Sequence, residues 1–130
     1  MKAALLLAAS FLCLLGGAAM AQGPYQQQPK PSAEDKVRLN KLAKAYDAAK
    51  SILAKSPKSE KAKKDFSEVG TAYGTECMMT PVLDRKVKYK MALHVYREVL
   101  KVDPAQPEAK KNSDMIVKIY KSLGRPVPSG

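Results

Sequence analysis

The chain has 130 residues, with 23 Lys and Arg against 12 Asp and Glu, a formal net charge of +11, one histidine and no tryptophan. That length leaves room for one domain, and the basic excess turns the expected partner toward acidic or polyanionic surfaces. One histidine and, in the mature chain, one cysteine far from it exclude a His/Cys metal cluster.

Residues 1–21 read as a Sec-type signal peptide cleaved after Ala21. Met1-Lys2 gives a positive start, the run to Met20 is apolar, and Ala19-Met20-Ala21 is a small-x-small cleavage site. The expected location is therefore secreted or periplasmic, and the mature chain does not span a membrane. Cys13 leaves with the leader, and Leu12 before it excludes a lipidation site. Cys77 then has no partner for an internal disulfide, so packing alone must hold the fold. It shares a helical stripe with Phe66, Val69, Gly70 and Tyr73, which marks it as an inert buried thiol.

Gln22 to Ser32 is a Gln/Pro tether with little to bury, expected to be disordered. Ser32 with Asp35 three residues on is a capping-box pattern, so the first helix should run from Ala33 to Lys55, with Leu42, Ala45, Ala49, Ile52 and Leu53 inward beside Tyr46. Pro57 stops it. Ser59 caps a second helix to about Met79, burying Ala62, Phe66, Val69, Gly70, Tyr73 and Cys77. Thr80-Pro81 reads as the next cap, and the third helix, starting between Val82 and Lys88, continues to Val102 with Ala92, Val95, Tyr96, Val99 and Leu100 on its apolar stripe. Asp103-Pro104 ends it, because the residue before a proline is pushed out of the α region. The fourth helix runs from Pro107 to Leu123, with Gly124 and Pro126 as the stop and 125–130 as a tail. The fold class is all-α, a domain over 33–124 of two stacked antiparallel helical hairpins. A shift of 47 residues sets Ala45 on Ala92, Leu53 on Leu100, Pro57 on Pro104, Ala62 on Ala109 and Tyr73 on Tyr120. This register predicts that the second hairpin duplicates the first.

Phe66, Val69, Gly70 and Tyr73, followed by Ala92, Tyr96 and Pro104, resemble the tetratricopeptide repeat, whose pattern is aromatic-x2-Leu-Gly-x2-Tyr and then Ala-x3-Phe…Pro. The match covers about residues 41 to 124 of the sequence. It departs in having a period of 47 where the family has ~34, and in having Val117 where Gly70 would recur. HEAT-like pairs, with periods of ~40 to 47, are the competing family. The resemblance implies a non-enzymatic α-solenoid fragment that holds a protein or peptide on its concave side. Placed by position, that side carries Lys64 and Glu68 on one helix and Lys111, Met115 and Lys118 on the other. Two hairpins are fewer than the usual three repeats, so a homo-oligomer or a larger partner would complete the stack.

No phosphate-cradling Gly loop, nucleophile elbow or haem-attachment motif occurs, and no cofactor is expected. His94 sits among Lys90, Arg97 and Lys101 as an exposed surface histidine. The lysine neighbours of Asp65 and Glu68 keep both carboxylates ionised. The alternative function is electrostatic, an anionic envelope polymer or lipid headgroup held by Lys58, Lys61 and Lys63 at one turn and Arg85, Lys86 and Lys88 at another. Export argues against nucleic acid as the physiological partner, and no interleaving of arginine with aromatics suggests base stacking.

Overall fold

The computed structural model describes residues 28–129; the expected leader, its cleavage site and most of the Gln/Pro tether lie outside the described residues. Four helices follow in order, α1 (Ala33–Lys55), α2 (Glu60–Met79), α3 (Arg85–Val102) and α4 (Pro107–Ser122), and no strand occurs among the described residues. The fold is all-α, and no described helix is long and apolar enough to cross a membrane.

Local chemistry accounts for each boundary. The capping box at α1 closes with Asp35 N–H donating to Ser32 Oγ at 3.0 Å and Ser32 N–H to Asp35 Oδ2 at 2.9 Å. The bond from Ser32 N–H, and then the one from the Ser32 hydroxyl to the same oxygen at 2.8 Å, hold the Asp35 carboxyl below its usual range. Ser59 caps α2 by accepting from Ala62 N–H at 3.2 Å, and Gln106 caps α4 by accepting from Ala109 N–H at 2.7 Å.

The 47-residue register reappears in the backbone of the two turns. Ser56 N–H donates to Ile52 and Ser59 N–H to Ser56, at 3.0 Å each; their counterparts, Asp103 N–H to Val99 at 2.8 Å and Gln106 N–H to Asp103 at 3.2 Å, follow the same pattern. The register also carries the α1 end, Lys55, onto the α3 end, Val102, and the α2 start, Glu60, onto the α4 start, Pro107. Two unlike sequences thus build one turn twice, around prolines at equivalent places.

Two sequence expectations need correction. Thr80 does not cap α3; its hydroxyl accepts from Val82 N–H at 3.2 Å within a bend, and Asp84 caps the helix by accepting from Lys86 N–H at 2.8 Å. A carboxylate next to the first helical N–H groups is the better acceptor there. Ile52 is 58 % exposed, not inward, and the buried positions of α1 are Leu39, Tyr46 and Ala49. α1 is an outer helix covered on one side only, so its inner stripe is narrower than periodicity alone suggests.

Helix α2 is the centre of the stack, packing on α1, α3 and α4. Its close approach to α3 requires glycine twice. A β-carbon at Gly70 would lie 2.5 Å from Val99 Cγ2, and one at Gly74 would lie 2.6 Å from Tyr96 Cε1. The Tyr96 ring is fully buried, and its hydroxyl accepts from Asn112 Nδ2 at 3.0 Å and pairs with Thr75 Oγ1 at 2.9 Å. Thr75 in turn donates to Glu108 Oε1 at 2.7 Å, so one buried tyrosine links α2, α3 and α4.

The chain turns sharply after α4. Gly124 takes φ +62°, its N–H donates to Lys121, and Arg125 N–H donates to Tyr120. This pair of bonds is a Schellman cap, and it directs residues 125–129 back over the domain, where Val127 packs against the core. The tail expected only as a C-terminal extension is therefore part of the folded unit.

Replacing Gly74 with Ala should destabilise the domain by about 1–2 kcal/mol in urea unfolding, since overpacking against a pinned ring (~1–3 kcal/mol) exceeds the helix-propensity gain (~1 kcal/mol). A stabilised Gly74→Ala protein would show that the Tyr96 ring gives way.

Candidate ligand groove

A concavity of about 670 Å³ lies between α1, α3 and the C-terminal tail. Helix α3 supplies its floor through two adjacent rows. Val87, Met91 and Val95 recur every fourth residue, and so do Lys86, Lys90 and His94, so an apolar row runs beside a basic one. Helix α1 supplies one wall with Ala43, Tyr46 and Asp47, and Pro128 with Ser129 forms the other. Apolar lining with a few polar groups at the rim is the usual character of a ligand site, and this volume falls in the usual range of ~300–1,000 Å³.

Tyr46 ties the α1 wall to the rest. Its ring packs on Phe66 at 5.6 Å and Tyr73 at 5.1 Å between centroids, and its hydroxyl donates to Glu98 Oε2 on α3. Lys50 Nζ reaches both oxygens of the same carboxylate at 2.9 Å, and His94 Nε2 lies 3.7 Å from Oε1. Burial alone would raise the Glu98 carboxyl, but the bonds from Tyr46 and Lys50 together outweigh it and hold it below its ordinary range. Burial, and then the bond to Glu98, drive the Tyr46 hydroxyl far above the usual phenol value, so it remains a donor. Burial also pushes Tyr73 up to about 12.

The opposite wall is held by Arg97, whose Nη1 donates to the Pro128 carbonyl at 2.5 Å. Lys86 and Lys90 have no acidic partner among the described residues, whereas Asp47 is the one carboxylate on the lining. The rim is therefore net positive over an apolar floor.

The residues expected to form the concave face occupy other ground. Lys64 and Glu68 form an exposed pair at 3.8 Å on α2, and Lys111, Met115 and Lys118 are exposed on α4. α2 and α4 both run antiparallel to α3, with Glu108 opposite Thr75. At 1.5 Å per residue, Lys64 then lies about 16 Å before that level and Lys111 to Lys118 about 5 to 15 Å beyond it. The five side chains sit at different levels of the stack.

Of the lysines expected to hold a polyanion, Lys61 is paired with Asp65 at 2.5 Å and Lys63 with Glu60 at 2.8 Å, while Lys58 is exposed in the first turn. Lys88 is only 7 % exposed, and desolvation, aided by the Arg85 charge, lowers its pKa; it is a packed residue and not part of a solvated cluster. Cys77 is fully buried, and burial raises its thiol to about 11.

Lys86 aside, the groove was hidden in the sequence because Tyr46, Tyr73 and Val95 read as core and the remaining lining residues as surface and tail. The one available signal was the parallel pair of rows, 87–91–95 and 86–90–94, of which only Val95 belongs to the core-facing stripe of α3. No family model, curated protein or solved structure compared with the chain matches it.

The Glu98 bonds make a pH-dependent contribution to stability. A folded-state pKa below the ordinary 4.5 gives stabilisation that is complete above that value and is lost as pH falls through the lowered one. Glu98→Gln should therefore cost about 1–2 kcal/mol at neutral pH, with the gap to wild type closing in denaturant titrations toward pH 3.

Proposed function

We propose that this protein is an exported, non-catalytic helical-repeat scaffold, tetratricopeptide-like in design, that binds an extended segment of a partner protein in the groove between α1, α3 and the tail. The observation that supports this most directly is the groove's chemistry, an apolar floor from Val87, Met91 and Val95 bordered by the unpaired Lys86 and Lys90. A segment carrying both apolar and acidic side chains fits that surface. The apolar groups would supply affinity at about 25 cal/mol per Å² buried, and the cations orientation and rate.

The electrostatic alternative has less support. Lys61, Lys63 and Lys64 each spend their charge on a neighbouring carboxylate, and Lys88 is packed inside. Surface pairs of this kind contribute little to stability, but they reduce the field available to a polyanion.

Selection of displayed heptapeptides on the immobilised full chain should return sequences that mix acidic and apolar residues. Titrated by fluorescence anisotropy, a selected peptide should bind Lys90→Glu about tenfold more weakly than wild type, a difference of about 1.4 kcal/mol. Lys111→Glu with Lys118→Glu should leave it within about twofold. Equal losses from both changes, or a salt dependence steep enough to release many counter-ions, would instead favour the polyanion reading.

A further inference from the structure

The groove wall made by the tail differs from the helical walls in one respect: its backbone is not used up in secondary structure. Residues 125–129 belong to no helix. Pro126 and Pro128 fix their own φ near −65° and push Arg125 and Val127 into the extended region, so the segment is held straight by its sequence. The prolines carry no N–H. Val127 and Ser129 do, and among the described residues neither N–H has a hydrogen-bond partner. Arg97 meanwhile takes the Pro128 carbonyl and Val127 packs on the core, so the strand is anchored from the side of α3 while Pro128 and Ser129 line the groove.

We infer that the C-terminal segment Arg125–Ser129 is a working wall of the groove, and that its Val127 and Ser129 N–H groups pair with main-chain carbonyls of an extended acidic-apolar peptide lying against α3. This rests on the peptide-binding reading above and adds to it how the main chain is recognised. Pairing with an extended edge supplies affinity that is independent of the partner's side chains, and pockets opposite supply selectivity. Lys86 and Lys90, on the same face of α3 as Arg97 and nearer the start of that helix, complement acidic side chains, while the apolar row takes every second residue of the partner. A lipid headgroup has no carbonyl ladder to match such an edge, so the partner class is polypeptide.

The test uses the full chain and the heptapeptide selected on it. Ser129 is exposed, so changing it leaves the core intact. Ser129→Pro removes the N–H, and Ser129→Ala keeps it. Ser129→Pro should weaken the peptide about fivefold relative to Ser129→Ala, the loss of one hydrogen bond. Arg97→Gln, which frees the wall, should weaken it by a similar factor, and thermal melts should coincide for the two Ser129 variants. Replacing peptide amides one at a time by esters, which are poorer acceptors, should show one or two positions at which the Ser129→Pro penalty disappears. Equal binding by Ser129→Pro and Ser129→Ala would overturn the inference and leave the groove as a peptide site without main-chain pairing. Tighter binding by Ser129→Pro would overturn it too, marking the tail as an obstacle. If no peptide binds the wild-type chain, the peptide-binding reading falls along with it.

Discussion

The spacing between α2 and α3 governs everything built around them. Gly70 and Gly74 let the α2 backbone come within reach of the Val99 and Tyr96 side chains, and no other residue type fits at either place without displacing a buried group. Because α2 also carries α1 and α4, that one short distance joins the two hairpins into a single stack. Glycine weakens a helix by about 1 kcal/mol relative to alanine, so each is retained against a local cost. The return is a full-length interface in which Tyr96, Val99, Ala92 and Leu93 are almost completely removed from water.

The groove is a by-product of that stacking. α1 and α3 both pack on α2 and share no backbone interface with each other. What crosses between them is a set of side chains, Tyr46 and Lys50 from α1 converging on Glu98 from α3. That carboxylate, accepting from both, ties the two helices together through side chains alone. The wall contributed by the tail depends on a different device, the left-handed Gly124, which reverses the chain, and the Arg97 bond, which pins it. Changing the end of the chain therefore reshapes the site as directly as changing the floor.

Most of the fold was legible in the sequence, because helix limits are set by local chemistry. Ser32 with Asp35, Ser59, Pro57, Asp103-Pro104 and Gly124 act within one turn of themselves, and each lies where the structure uses it. The failures came from non-local competition. Thr80 was as good a cap as Asp84 until the bend gave it Val82 to serve, and Ile52 matched the apolar period but faces outward since no helix covers that side of α1. The candidate site was less legible still. Its floor combines Val95 from the α3 core stripe with Val87 and Met91 beside it, and its two walls come from segments far apart in the chain, around Tyr46 and Pro128, which no local pattern connects. The lysine clusters were visible, as were the lysine neighbours of Asp65 and Glu68, but not that Lys63 would pair with Glu60 or that Lys88 would be packed inside.

The burial of Cys77 has a consequence for its reactivity. With its sulfur sealed from water and ionising only near pH 11, almost none of it is present as thiolate at neutral pH, and thiolate is the species that exchanges with disulfides. The native domain is thus indifferent to the redox poise around it. While the fold holds, that sulfur is a packing group and not a handle for mixed-disulfide capture.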